Sequence, residues 1–171
     1  MHKLKNNIKR KTNSTAGSGL VEILVAVSIF SIVLGSLITA SNMYLSGAEE
    51  NLKSTKGVYI AEEGMEAVKI MRDNDWGNIT TLTDNTNYYL YFDTSSSTNN
   101  IWKATSTTSF IDSVFIRILK VNAVYRDLNG RIVESGGTLD SNTKKVSVSV
   151  SWPSKSTTTI KTLSTYIANI L

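Results

Sequence analysis

The chain has 171 residues, enough for one modest domain and an anchor. It contains no cysteine, which excludes disulfide bonds and thiolate metal sites. Its one histidine is His2, so most nucleophile–base pairs of enzymes and most zinc sites lack an essential member. We therefore expect a protein that is not an enzyme and that uses no metal and no cofactor.

The net charge of +4 is concentrated at the N-terminus. Five bases and no acid precede the first apolar stretch: Lys3, Lys5, Lys9, Arg10 and Lys11. Without these five, 13 of the 18 bases remain against 14 acids, so the rest of the chain is nearly neutral. Bases beside a membrane segment keep that end in the cytoplasm. The charge therefore predicts topology, and by itself it does not indicate nucleic-acid binding.

The stretch Ile23–Ala48 contains no charged residue. As a helix it would be about 39 Å long, more than the roughly 30 Å of a hydrocarbon core. Glu22 lies at its start, where a carboxylate is costly and suggests a function. The many Leu, Ile, Val and Phe residues outweigh this cost, and the stretch is too long for a cleaved signal peptide. We expect a retained membrane helix.

No turn signal separates this stretch from the charged segment that follows. Apolar side chains recur there at steps of three and four residues, which predicts a helix with one face on a globular domain. They are Leu52, Tyr59, Ala61, Met65 and Val68. Gly57 and Gly64 should weaken the helix by about 1 kcal/mol each. We predict one continuous helix from about Gly19 to Arg72, ended by Asp73–Asn78.

Beyond the helix the apolar pattern has a period of two, which predicts strands. The predicted strands are Tyr88–Phe92, Val114–Arg126, Lys145–Trp152 and Thr158–Ile170, with Pro153 ending the third and with Thr94–Asn100 and Thr105–Ser109 as loops. Asp127–Gly130 is predicted as a hairpin turn that returns into Arg131–Glu134. The expected fold class is α+β: a long N-terminal helix packed on an antiparallel sheet of about four strands, with one face wet.

Several polar and aromatic residues allow a second interpretation. Asp127-x-Asn129-Gly130 contains a fragment of a calcium loop, but a plain turn is favoured because most ligand positions are absent. Glu134, Asp127 and Asp140 could act as glycosidase acids, but their turn-rich surroundings favour solvated residues. Among the tryptophans, Trp152 is expected in the core and Trp76 at the helix end. Trp102 is the candidate for stacking on a sugar or base.

The residues Gly17-Ser18-Gly19-Leu20-Val21-Glu22-Ile23-Leu24-Val25 resemble the processing site of type IV prepilins and pseudopilins. The family pattern is a basic leader, a glycine, the cut, four mostly apolar residues, a glutamate and a long apolar run. Aligning Glu22 with the glutamate of the pattern places the cut between Gly17 and Ser18. The resemblance covers about the first third of the chain.

The resemblance implies a pilin fold with four parts: leader 1–17, transmembrane and assembly helix 18–48, amphipathic continuation 49–73, and sheet domain 74–171. Ser18 stands where phenylalanine or methionine is usual, and it becomes the candidate for N-methylation. The disulfide loop of many pilins is impossible here. The C-terminal strands look more like those of minor pilins or pseudopilins. Some pseudopilins bind calcium in a carboxy-terminal loop, which makes Asp112 and Asp140 candidates for a second calcium site.

The implied function is that of a filament subunit of a type IV pilus or a type II secretion-like system. The implied partners are membrane lipid, the prepilin peptidase, other pilin or pseudopilin subunits and the inner-membrane assembly platform, with nucleic acid only for a DNA-uptake pilus. The C-terminal domain would lie outside the cytoplasm and later in a filament. Glu22 would pair with an α-amino group, while apolar residues pack around it: Leu20, Ile23, Val27, Phe30 and Leu34. The alternative is an uncleaved, signal-anchored surface binding module of adhesin type.

Overall fold

The computed structural model describes residues 16–95, 101–155 and 157–170. The chain divides into two compact units, Met1–Ala48 and Glu49–Leu171. The helices are α1 (Ala16–Asn74) and α2 (Gly77–Thr80). The strands are β1 (Tyr89–Asp93), β2 (Ile101–Thr105), β3 (Phe110–Ile111), β4 (Phe115–Arg126), β5 (Ile132–Val133), β6 (Thr138–Ser154) and β7 (Thr157–Ala168). The long N-terminal helix and the antiparallel strands confirm the α+β class.

Helix α1 is a single element of 59 residues, as the absence of any internal turn signal predicts. It ends where expected. Asn78 Nδ2 donates at 3.1 Å to the carbonyl oxygen of Met71, which also accepts the N–H of Asp75 at 3.2 Å in the last turn. Asp75 Oδ1 accepts the N–H of Gly77 at 2.8 Å and so starts the short helix α2. The polar run after Arg72 therefore ends the helix by capping it.

The strands form two antiparallel sheets, so the prediction of one sheet of about four strands is wrong in its count. The smaller sheet is β1–β2, and the larger has the order β3-β4-β6-β7, with β5 also pairing with β4. Sequence reasoning missed β2 because a five-residue strand lies between Ser-, Thr- and Asn-rich segments. The predicted loop Thr94–Asn100 falls partly outside the described residues.

The long strand β6 begins seven positions before the predicted start at Lys145. Its register against β4 shifts between Ala123 and Val124, where extra β6 residues interrupt the pairing. Such a bulge breaks the period of two, which hid the first half of the strand. The strand also continues one residue beyond Pro153, which is exposed and pairs with Thr158.

The hydrophobic core of the second unit lies between one face of α1 and the larger sheet. The buried helix residues are Ile60, Ala61, Met65, Ala67, Val68 and Met71, and the sheet contributes Phe115, Leu119, Val121, Val146, Val148, Val150 and Trp152. Leu52 and Tyr59 were predicted on this face, but they are 70% and 66% exposed. The helical pattern was correct in period, and the buried stripe begins only at Gly57.

Two glycines of α1 face the sheet at its closest approach. A Cβ added to Gly57 would lie 2.4 Å from Cζ3 of Trp152. A Cβ added to Gly64 would lie 2.7 Å from Cδ of Arg117 and 2.9 Å from Cγ1 of Val148. These residues were interpreted as weak points of the helix. In the structure they make room for the largest side chains of the sheet.

We therefore predict that Gly57→Ala destabilises the second unit by about 1–3 kcal/mol, because overpacking against Trp152 outweighs the gain of about 1 kcal/mol in helix propensity. The matched control is Gly47→Ala, since a Cβ there meets nothing within 4 Å. Urea unfolding followed by tryptophan fluorescence measures the effect, because all three tryptophans lie in the second unit. Equal stability of the two variants would contradict the packing account.

Candidate membrane-anchoring and assembly site

The residues Ser18–Ala48 of α1, here called the apolar segment, bury none of their side chains. Its large apolar side chains are 43–77% exposed: Leu20, Val21, Ile23, Leu24, Val25, Val27, Ile29, Phe30, Ile32, Val33, Leu34, Leu37, Ile38, Met43, Tyr44 and Leu45. They surround the helix on all sides, a pattern typical of helices that lipid or other protein covers. Among the described residues, α1 is the one helix long and apolar enough to cross a membrane.

Four hydroxyl groups of the apolar segment are satisfied within the helix itself. Ser28, Ser31, Ser36 and Thr39 each donate to the backbone carbonyl four residues earlier, at 2.7–2.9 Å. A hydroxyl without a partner is expensive in hydrocarbon. Because these bonds are internal, the segment presents no unsatisfied hydroxyl from these residues to an apolar environment.

Glu22 is the one charged residue of the apolar segment. Its side chain is exposed, and no ion pair joins it to any described residue. It lies one helical turn after Ser18, about 6 Å along the axis and on the same face of the helix. The carboxylate therefore has no intramolecular counter-charge within the described chain.

The proposed cleavage junction, Gly17–Ser18, lies in the first turn of α1, which begins at Ala16. A peptidase needs an extended backbone at the bond that it cuts, whereas the described backbone here is helical. The first turn of a helix has no intrahelical acceptors for its N–H groups and frays easily. The leader residues Lys3, Lys5, Lys9, Arg10 and Lys11 lie outside the described residues.

In the second unit an ion pair between buried Arg117 and half-exposed Glu63 joins α1 to the larger sheet. Arg117 is 4% exposed, and its Nη1 donates to Glu63 Oε2 at 2.9 Å and to the carbonyl of Ile60 at 3.3 Å. Its guanidinium also lies 5.2 Å from the ring centroid of Trp102. Burial lowers the pKa of Arg117, and the charge of Glu63 opposes that shift. Sequence reasoning missed this contact, although alternation places Arg117 on the same strand face as Phe115.

Among the acids considered for catalysis or calcium binding, Glu134 is exposed, while Asp127 and Asp140 hold a turn and a strand. Asp127 Oδ1 accepts the N–H groups of Asn129 and Arg131, which fixes the hairpin turn. Arg126 Nε donates to Asp140 at 2.6 Å, and this bond lowers the pKa of Asp140.

Asp112 and Asp140 also lie far from each other. Asp112 forms an ion pair with Lys56 at 2.6 Å beside one end of β4. Asp140 lies opposite Val124 in the sheet, near the other end of β4 and about 30 Å along the strand. They do not come together as a calcium site. No group of three metal-ligating side chains occurs within the described part of the chain.

The three tryptophans occupy the places expected of core residues more than of a binding surface. Trp152 is 1% exposed, and Trp76 is half-buried against the core at the start of α2. The candidate for ligand stacking, Trp102, is also half-buried. Phe92 lies 5.4 Å from its ring, and Arg117 covers it. Trp102 is therefore partly exposed, with Arg117 over its ring.

Comparisons with protein-family models, with curated proteins and with solved structures find no significant match.

The contribution of the Arg117–Glu63 ion pair to stability can be tested by comparing substitutions at Glu63 and at the adjacent Glu62. Glu63→Gln should destabilise the second unit by about 1–2 kcal/mol, because the buried guanidinium loses its counter-charge. Glu62→Gln is the matched control, since no described residue forms an ion pair with Glu62. Urea unfolding of both variants measures the difference, and equal midpoints would show that the pair adds nothing.

Proposed function

We propose that this chain is a structural subunit, a minor pilin or pseudopilin, of a type IV pilus or a type II secretion-like filament. The observation that carries the proposal is the apolar segment, which buries none of its apolar side chains and contains a single acid one turn from its start. A subunit that moves from a bilayer into a helical bundle needs this combination. The α+β architecture, with a helix packed on antiparallel strands, fits the same class of protein.

Before processing, the basic leader holds the subunit in the membrane. Each Lys or Arg costs a few kcal/mol in the hydrocarbon region, so residues 1–17 remain on the cytoplasmic side. The prepilin peptidase unwinds the first turn of α1 and cuts between Gly17 and Ser18. The glycine allows the close approach of a protease to the backbone. Removal of the leader takes away five positive charges and creates a new α-amino group at Ser18.

After processing, Glu22 selects the register between subunits. A carboxylate in a bundle of apolar helices is strongly penalised unless it has a partner. The new α-amino group of Ser18, its own or that of the neighbouring subunit, supplies the counter-charge. The apolar side chains then pack against neighbouring helices, where shape and not charge governs contact. The charge pair thus fixes one alignment among many that apolar packing alone would allow.

The first test is the N-terminus of the chain isolated from cells that contain a prepilin peptidase. Mass spectrometry should find a chain that begins at Ser18. Gly17→Leu should block this cleavage because the larger side chain prevents the close approach of the peptidase. The control Gly35→Ala should be cleaved normally, since a Cβ at that position meets nothing within 4 Å. A wild-type chain that keeps Lys3–Lys11 would favour the uncleaved surface binding module instead.

The second test removes the charge of Glu22 without changing its size. Glu22→Gln should insert and be cleaved normally, but its incorporation into filaments should fall by at least about tenfold, because loss of a buried charge pair costs a few kcal/mol. Sheared filaments analysed by quantitative blotting give the incorporated fraction. Glu49→Gln, just outside the apolar segment, is the matched control. Normal incorporation of the Glu22 variant would contradict the charge-pair account.

A further inference from the structure

The two edges of the larger sheet differ in how much of their backbone is hydrogen-bonded to other residues. Along the β4 edge, β3 pairs with Phe115 and Ile116, and β5 pairs with Tyr125 and Arg126. Between these two strands, the loop that precedes β1 forms hydrogen bonds with the backbone of β4. The bonded residues are Tyr88 with Leu119, Asn85 with Val121, and Asp84 with Ala123. This edge is covered almost throughout its length.

The opposite edge is β7, and no described residue outside β6 pairs with its backbone. All 12 residues of β7 pair with β6 without a register shift, so the strand is long and regular. In an antiparallel edge strand, the backbone groups of alternate residues point outward. Such an edge is a template for another strand, and proteins usually protect it with a bulge, a proline or several charges. β7 contains no proline and one charged residue, Lys161.

The charge around β7 is of one sign. No acid follows Asp140 in the sequence, whereas four lysines do: Lys144, Lys145, Lys155 and Lys161. Lys144 is neutralised by Asp84 at 2.9 Å, and the other three form no ion pair with a described residue. The charged side chains of β7 and of the turn that leads into it are therefore all lysines, with Lys161 on the edge strand itself.

On the face that carries α1, the side chains of β7 become more buried along the strand, with half-buried Thr165 between Leu163 and Ile167. Lys161 is exposed, Leu163 is half-buried and Ile167 is buried. A strand added beside β7 would place its own side chains next to these, with the same period of two. Next to Lys161 an acid is favoured, and next to the two apolar residues an apolar side chain is favoured.

We propose that the outer edge of β7 binds an extended, acidic peptide strand of another protein, which adds to the larger sheet as a further strand. Main-chain hydrogen bonds supply the attachment, and the lysines select an acidic sequence. A second copy of β7 is disfavoured as the occupant because it offers no acid to Lys161, whereas an acidic strand does. This inference goes beyond the role of the chain as a filament subunit.

The experiment uses the full-length chain in detergent micelles and a synthetic peptide of the length of β7. The peptide alternates threonine with valine and glutamate, and a matched peptide carries lysine in place of glutamate. The acidic peptide should bind and should slow the exchange of the β7 amide hydrogens. The lysine peptide should bind at least about tenfold more weakly. Equal binding of the two peptides, or unchanged exchange in β7, would overturn the proposal.

Two charge reversals locate the site. Lys161→Glu should weaken binding of the acidic peptide about tenfold, while Arg131→Glu, after the turn on the opposite edge of the sheet, should not. Both side chains are exposed, and matching urea midpoints show that both variants fold. A different result would reject the acidic partner. If the β7 amides are protected from exchange without peptide, and this protection grows with the concentration of the chain, the edge binds a second copy. Neither result affects cleavage after Gly17, so the two proposals fail independently.

Discussion

The main physical constraint on this chain is the apolar segment, because four of its hydroxyl groups are satisfied within the helix while its apolar side chains are not buried by the rest of the described chain. Its four i to i−4 hydroxyl bonds remove the cost of polar groups, and its apolar side chains remain available on every side. Lipid can cover these side chains, and so can the helices of other subunits. What distinguishes the two environments is Glu22. A carboxylate near the membrane edge reaches water, whereas one inside a bundle needs a cation.

The packing of the second unit depends on a different feature, the two glycines that let α1 approach the sheet. Gly57 admits the indole of Trp152, and Gly64 admits the stem of Arg117. The glycines weaken the isolated helix, so much of the stability of this part of α1 comes from the sheet and not from helix propensity. The buried guanidinium then fixes the position of the helix, because its acceptors, Glu63 and the carbonyl of Ile60, both belong to α1.

The sequence predicted the elements whose signals are local. The continuous helix followed from an unbroken apolar run without turn residues, and β4, the second half of β6 and β7 followed from alternation. It did not predict β2, whose strand is short, or the first half of β6, where the bulge near Ala123 breaks the period. The contact of Arg117 with Glu63 joins residues 54 positions apart, and no local pattern reports such a pair. Of the candidate site, Glu22 was visible because a lone acid in an apolar run stands out, whereas the open edge of β7 required the strand order.

The two surfaces place complementary demands on assembly. Under the proposed assembly, a subunit held through its apolar segment would not need the β7 edge for its own attachment, since apolar packing and one charge pair would fix its register. Lys161 of that edge finds no acid in an identical β7, just as the one acid of the apolar segment finds no cation within the described chain. Under the two proposals, charge has opposite effects at the two sites: at Glu22 it would select a like subunit in one register, and at β7 it would leave the edge to an unlike, acidic strand.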